Sequence, residues 1–156
     1  MKPAETMPLP AWLVILAVMG AVFWALRLSR VDADWYLRLH RPAWLSFERW
    51  IPLIWLGIYA CWYASALLCW EASRSWGLMV GYAGLLLVLV GRTWLIGYTR
   101  RLLCGVVLGV VGWVLAVTLV DAVGIDAAVS GWLLFPYLLW SPVETVVYWQ
   151  MRGLNS

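Results

Sequence analysis

Two ionisable side chains fall inside long apolar stretches of the chain, where a charge needs a partner. Glu144 lies within the last stretch, and Arg92 lies near the end of the third. An ionised side chain at the centre of a bilayer costs about 2.5–3.5 kcal/mol on insertion scales. We expect Arg92 to snorkel to the membrane surface, because its long side chain can reach water. Glu144 is predicted to face the protein interior, where it is either neutral, paired with Arg92, or in contact with a bound polar group.

Aromatic residues are the second group of side chains that could form a functional site. The chain has 14 Trp and 7 Tyr but only 3 Phe. Trp and Tyr combine a large apolar face with a polar handle. Many lie at predicted helix ends and fit an interfacial belt, whereas Trp55, Trp62, Trp113 and Trp140 fall in mid-span. These four either pack between helices or line a cavity, and a cavity walled by indole rings suits a flat, conjugated, amphipathic ligand.

Composition places these residues in a polytopic membrane protein. Of 156 residues, 65% are hydrophobic and 12% are charged, whereas a soluble domain is about 45–50% apolar and about 25% charged. We predict a single all-α membrane domain, residues 1–156, built as a bundle of five transmembrane helices. The predicted spans are approximately 9–28, 50–70, 76–97, 102–121 and 127–151. Pro136 and Pro142 fall in the last span, and each removes a backbone hydrogen bond that a neighbouring group must replace.

The distribution of arginine predicts the orientation. Nine arginines fall on one side of such a bundle, namely Arg27, Arg30, Arg38, Arg41, Arg49, Arg92, Arg100, Arg101 and Arg152. The positive-inside rule therefore places the 29–49 loop and the C-terminus in the cytoplasm and the N-terminus outside. No cleavable signal or transit peptide is visible, so a bacterial inner membrane is the default expectation.

Several functional classes find no support in the residue pattern. No basic cluster resembles a nucleic-acid-binding surface, so the bilayer and a small hydrophobic ligand are the expected partners. One histidine and three cysteines in apolar runs give no metal-ligand spacing, so we predict no metal site and no required cofactor. Glycines spaced along the third and fourth predicted helices allow close helix contacts and permit a homodimer.

The 29–49 loop is the only long connection between predicted helices. It is too polar to insert into the bilayer, and it contains Trp35, Tyr36 and Trp44. An aromatic-rich loop beside a bundle is either a lid over a pocket or an interfacial segment at the lipid headgroups.

Three motifs in this order resemble the TspO/MBR family, the tryptophan-rich sensory proteins related to the mitochondrial translocator protein. Residues 35–44, WYLRLHRPAW, resemble the family pattern W-Y-x-x-L-x-K-P-x-W. Residues 55–59, WLGIY, resemble W-x-x-L-Y, with Trp70 following at the family distance. Residues 136–140, PYLLW, followed by Leu154-Asn155, resemble P-Y-L-x-W with a terminal L-N. Together the motifs span nearly the whole chain.

The resemblance implies a five-helix bundle whose pocket opens toward the first loop. It implies binding of tetrapyrroles such as protoporphyrin or haem, or of sterol-like molecules, in a receptor, transport, stress-sensing or regulatory role. By position, the lid would be formed by Trp35, Tyr36 and Trp44. The aromatic walls would be formed by Tyr59, Trp94, Tyr137 and Trp140. Glu144 as polar anchor and Arg92 as its partner are additions from the charge argument.

Departures from the family pattern keep two alternatives open. Trp62-Tyr63 replaces a small Met-Gly pair, Glu144 replaces a usual Ala, and Tyr148 replaces a usual Asn. These larger or more polar side chains favour a smaller pocket, and a closed pocket would leave a membrane scaffold or interaction protein. The other alternative is a photochemical enzyme that degrades bound porphyrin, although the sequence shows neither a nucleophile–base pair nor a metal set.

Overall fold

The computed structural model describes residues 10–124 and 128–156, and within these residues it is helical with no strand. The α-helices are α1 (Ala11–Ala25), α2 (Arg30–Leu37), α3 (Ile51–Ser73), α4 (Trp76–Thr99), α5 (Leu102–Val123), α6 (Ala128–Leu133) and α7 (Phe135–Leu154). A 3₁₀ turn, Glu48–Trp50, leads into α3, and Pro52 occupies the first turn of that helix, where its missing N–H costs nothing.

Three helices among the described residues are long and apolar enough to cross a membrane. They cover Glu48–Ser73, Trp76–Thr99 and Leu102–Val123. Helices α1 and α2 are bent by 80° at a short break and add a fourth span if the pair is counted as one. The chain is therefore consistent with a multi-pass integral membrane protein, while the count of five spans stays a prediction.

The last predicted span, 127–151, is two helices and not one. Helix α6 ends at Leu133, and α7 begins at Phe135. Pro136 lies in the first turn of α7 and has no N–H, so the helical hydrogen bond to the residue four positions earlier cannot form. The predicted starts of the first and last spans, at 9 and 127, lie outside the described residues.

Pro142 lies inside α7, and the structure shows what replaces its missing hydrogen bond. The carbonyl of Leu138 would normally accept from residue 142. It accepts instead from the indole Nε1 of Trp113 on α5, at 3.1 Å. The indole of Trp113, which is 41% exposed, therefore supplies from a neighbouring helix the hydrogen bond that Pro142 cannot make.

The predicted 29–49 loop contains a helix, α2, that the sequence analysis did not anticipate. Ser29 caps its N-terminus, because the Ser29 hydroxyl oxygen accepts from the backbone N–H of Asp32 at 3.1 Å. The Asp32 carboxylate in turn accepts from Arg100 at the end of α4, at 3.1 Å. The first part of this segment is therefore folded against the bundle.

The helices pack unevenly around α5. Helix α5 lies along both α4 and α7, and its buried glycines Gly105, Gly109 and Gly112 permit the close approach. Helix α3 packs mainly against α6 and α1, and it meets α4 and α7 over shorter stretches. Large side chains fill the space between α3, α4 and α7 that this arrangement leaves.

Candidate functional site

A buried ion pair joins α4 to α7 in the half of the bundle next to α2. Arg92 is 2% exposed and Glu144 is 8% exposed, and Arg92 Nη2 donates to Glu144 Oε2. Of the three states considered for Glu144, the structure shows the pair with Arg92. The prediction that Arg92 snorkels to the surface is wrong, because a carboxylate on the neighbouring helix lies within reach of its guanidinium.

Two tyrosines extend this pair toward α2. The Tyr148 hydroxyl, one turn beyond Glu144 on α7, donates to Glu144 Oε1 at 3.3 Å. The hydroxyls of Tyr148 and Tyr36 are 2.9 Å apart and share a hydrogen bond. Arg92, Glu144, Tyr148 and Tyr36 form a continuous series of contacts, called here the polar chain. It connects α4 and α7 to the segment that sequence analysis proposed as a lid.

The guanidinium of Arg92 lies close to two aromatic rings. Its central carbon is 5.5 Å from the ring centres of both Trp55 and Tyr148, which is within cation–π range. Among residues 10–124 and 128–156, Nε and Nη1 of Arg92 have no hydrogen-bond partner. Gly109 on α5 faces this end of the side chain, since a Cβ there would lie 3.2 Å from Nη1 and would collide with the Thr145 hydroxyl.

A second group of aromatic residues joins α7 to the segment between α2 and α3, residues 38–50. Phe47 lies 6.5 Å from Trp44 and 6.3 Å from Trp140, measured between ring centres. Trp44 donates through Nε1 to Gln150 Oε1 at 2.6 Å. The indole Nε1 of Trp140 is buried and has no partner in the described part of the chain. The group therefore contains one unused hydrogen-bond donor.

The remaining predicted wall residues are distributed more widely. Tyr59 contacts Trp55 at 5.4 Å and Phe23 of α1 at 4.7 Å between ring centres, so it extends the aromatic side of Arg92. Tyr137 is buried against Gly112, where an added Cβ would meet its hydroxyl.

Trp94 and Trp35 pair with neighbours outside the polar chain. Trp94 stacks on Tyr98, with ring centres 5.2 Å apart. Trp35 lies under Arg100, whose guanidinium carbon is 5.1 Å from the ring centre. The structure thus brings Tyr36, Arg92 and Glu144 together, and Trp44 close to Trp140, without uniting all predicted residues around one space.

Three contributors were not assigned to the site from sequence: Phe47, Gln150 and Tyr148. A signal existed for Tyr148, since it follows Glu144 by four residues and so lies on the same helix face. No sequence signal pairs Phe47 with Trp140 or Trp44 with Gln150, because those contacts join residues about a hundred positions apart.

An apolar cavity of about 230 Å³ lies at the opposite end of the bundle, between α1, α3 and α4. Its lining includes Ile15, Trp62, Ala66, Trp70, Trp76 and Tyr82. None of the predicted site residues lines it. Trp62, which replaces a small residue of the family pattern, is 3% exposed here and donates through Nε1 to the Tyr82 carbonyl at 3.2 Å.

Comparison with known proteins agrees with the motifs. The model of the TspO/MBR family matches residues 11–154, which is nearly the whole chain. A search of curated proteins found no match. The family match therefore confirms the resemblance drawn from the three motifs.

Proposed function

The chain belongs to the TspO/MBR family, and from this premise we propose that it is a membrane-bound sensory or transport protein that binds a flat hydrophobic ligand. The ligand is a tetrapyrrole such as protoporphyrin or haem, or a sterol-like molecule. The observation that carries the proposal is the group of aromatic side chains from α3, α7 and residues 38–50. These side chains pack against the two buried clusters of the bundle, in the region where α3 contacts α4 and α7 over short stretches only.

The chemistry of this region suits such a ligand. The rings of Trp55, Phe47 and Trp140 offer stacking and edge contacts to a conjugated ring system. The buried Trp140 Nε1 has no partner among the described residues, and an unpaired buried donor is costly. A ligand that brings an acceptor to it would recover that cost.

Residues 38–50 are held to the C-terminal end of α7 by exposed hydrogen bonds, one between Trp44 and Gln150 and two between His40 and Asn155. We expect this segment to move on binding, because water can replace these bonds.

The proposed placement in the membrane follows from charge. The end of the bundle that carries α2 and residues 38–50 is rich in arginine, so we assign it to the cytoplasm, with the N-terminus outside. The proposed membrane is the bacterial inner membrane. The ligand site would then open toward the cytoplasmic surface.

The test is a titration of the purified protein with protoporphyrin, haem and cholesterol. Tryptophan quenching and melting temperature are followed together, because a ligand that binds only the folded state raises the melting temperature. We expect saturable quenching with a raised melting temperature for at least one ligand. Trp140→Phe should weaken that binding several-fold. The matched control, Trp132→Phe, changes an indole on α6 that is 68% exposed and should leave binding unchanged.

A closed-pocket scaffold is the second candidate, and one observation favours it. The centre of the predicted pocket holds the Arg92–Glu144 pair with Tyr148 packed against it. In this case all three titrations give flat curves and unchanged melting temperatures. That outcome would overturn the ligand-binding proposal and leave the scaffold.

A further inference from the structure

We propose that the apolar cavity between α1, α3 and α4 binds one acyl chain of a membrane phospholipid, with the phosphate of its headgroup at Arg74. This cavity lies at the end of the bundle opposite the polar chain, and none of the predicted site residues lines it. The inference goes beyond the proposed function, because the occupant comes from the surrounding bilayer and becomes part of the folded protein.

The cavity has the size and depth of part of one acyl chain. Its volume is about 230 Å³, below the roughly 300–1,000 Å³ of pockets that enclose a drug-sized ligand. On α4 the lining extends from Trp76 to Ala83, which is about 10 Å along a helix that rises 1.5 Å per residue. One leaflet supplies half of the hydrocarbon core, or about 15 Å. The cavity therefore fits within one leaflet and is too small to enclose a tetrapyrrole or a sterol.

Two of the three sides of the cavity are closed by hydrogen bonds between helices. Between α3 and α1, the Tyr63 hydroxyl donates to the Trp12 carbonyl at 3.1 Å. Between α3 and α4, Trp62 donates to the Tyr82 carbonyl at 3.2 Å, and the hydroxyls of Ser65 and Tyr82 are 2.7 Å apart. These bonds fix α1 and α4 relative to α3, so the walls do not simply collapse onto the space between them.

The third side, between α1 and α4, faces the bilayer. Helix α1 lies against α4 toward the other end of the bundle, where Leu26 is 3.7 Å from a Cβ added at Gly91. Beside the cavity, the lining residues Val18 of α1 and Val80 of α4 are 42% and 70% exposed. Exposed apolar side chains of a multi-pass membrane protein contact lipid chains, so an acyl chain can enter the cavity sideways from the bilayer.

The turn between α3 and α4 supplies the charge that a phospholipid headgroup needs. Trp70 and Trp76 both line the cavity, and their ring centres are 5.0 Å apart. Arg74 lies in the turn between them and is exposed, and Glu71 lies three positions earlier and is also exposed. Neither side chain forms an ion pair with any described residue. An arginine beside indole rings at the membrane interface suits a lipid phosphate, and Glu71 suits the ammonium of phosphatidylethanolamine.

An acyl chain in the cavity stabilises the folded protein through packing. The side chains that line an apolar space lose dispersion contacts where no atom faces them, and water does not replace those contacts, because the lining offers it few polar partners. A lipid chain restores the contacts without leaving an apolar medium. Because the lipid binds the folded state, it should raise the melting temperature.

The test measures lipid retained by the purified protein in detergent, by native mass spectrometry, together with the melting temperature. The probes are phosphatidylethanolamine and a diacylglycerol with the same acyl chains, which lacks the headgroup. We expect the wild-type protein to retain one phosphatidylethanolamine per protein molecule and to melt at a higher temperature when it is added. Diacylglycerol should bind several-fold more weakly, because it offers no phosphate to Arg74.

Two variants fill the cavity in different ways, and a third is their control. Ala83→Leu adds three carbons to the lining from α4 and should reduce lipid retention several-fold. It should also raise the melting temperature of the lipid-free protein, whereas a variant that folds poorly would melt earlier. Val18→Phe enlarges an exposed side chain at the open side and should also reduce retention. Ala17→Leu changes an exposed residue of α1 that does not line the cavity and should retain lipid as the wild type does.

A second pair of variants tests the headgroup contact. Arg74→Gln removes the charge at the end of α3 and should bring the affinity for phosphatidylethanolamine close to that for diacylglycerol. The control is Arg49→Gln, which removes an exposed arginine that lies over Trp50 at the opposite end of the bundle. It should keep the preference for phosphatidylethanolamine.

The outcomes that contradict the proposal are distinct. If the wild-type protein retains no lipid and its melting temperature is unchanged by phosphatidylethanolamine, the proposal is overturned. Equal retention in the wild type and in both cavity-filling variants also overturns it, because the lipid then lies elsewhere. A protein dimer that Val18→Phe dissociates would make a second copy the occupant of the open side. None of these results depends on porphyrin or sterol binding, so the proposed function stands or falls separately.

Discussion

The two ends of the bundle each bury a tyrosine in a hydrogen-bonded group, and the two groups differ in charge. Near the apolar cavity, Tyr82 shares a hydrogen bond of 2.7 Å with Ser65, which donates to the Ser130 carbonyl at 2.7 Å. That group is neutral, and its unpaired atom within the described chain is the Ser130 hydroxyl. Near α2, Tyr148 belongs to a chain that ends in an arginine with two unpaired nitrogens.

This difference in charge indicates which of the two hydrogen-bonded groups has a role beyond packing. A buried neutral hydroxyl without a partner costs less free energy than charged donors left unpaired in a low-dielectric interior. The neutral group at Tyr82 is explained by packing between α3, α4 and α6. The polar chain is not explained by packing alone, since the same space could hold apolar side chains. Three substitutions in the polar chain or beside it, each with a matched control, test this difference.

The largest expected effect comes from breaking the ion pair. Arg92→Met leaves the Glu144 carboxylate buried without its partner, and we expect a loss of about 3–5 kcal/mol in stability. Arg92→Met/Glu144→Met should recover most of that loss, because no isolated charge remains. Thermal unfolding in detergent gives the comparison, with Ser65→Ala as the control at the neutral end. A single variant as stable as the wild type would show that the pair is not buried.

A smaller effect is expected at the contact between α5 and the polar chain. Gly109→Ala places a Cβ against the Thr145 hydroxyl and 3.2 Å from Arg92 Nη1, and such overpacking costs about 1–3 kcal/mol. The control is Gly57→Ala on α3, where an added Cβ meets nothing within 4 Å. It should be neutral or slightly stabilising. Equal melting temperatures for the two variants would contradict the close approach of α5 to Arg92.

The smallest expected effect separates the two tyrosines. Tyr148→Phe and Tyr82→Phe each remove one hydroxyl, at a cost of about 1 kcal/mol. Only the first cuts the contact between Tyr36 and α7. Amide hydrogen exchange in α2 should therefore accelerate in Tyr148→Phe and stay unchanged in Tyr82→Phe. Identical exchange in both variants would mean that Arg100–Asp32 and the cap at Ser29 alone hold α2.

The membrane class, the helical secondary structure and the family were all predictable from the amino-acid sequence. These properties are local or summed over the chain: hydropathy over a window, the distribution of charged residues between the apolar stretches, and motifs of about ten residues. Even the missing hydrogen bond at Pro142 could be anticipated, because proline lacks an N–H wherever it lies. Pro136 likewise predicted a disturbance of the last span, and the structure shows it as the break at Leu134.

Which side chains contact one another could be learned only from the packing of the helices. This packing gave Arg92 a partner 52 positions away on α7, joined Tyr36 to Tyr148 across 112 positions, and placed the apolar cavity away from every predicted site residue. A side chain's charge and size are encoded locally, but its surroundings depend on how helices far apart in sequence pack. The close approach of α5 at Gly109, set by packing across three helices, confines the guanidinium of Arg92 beside Glu144.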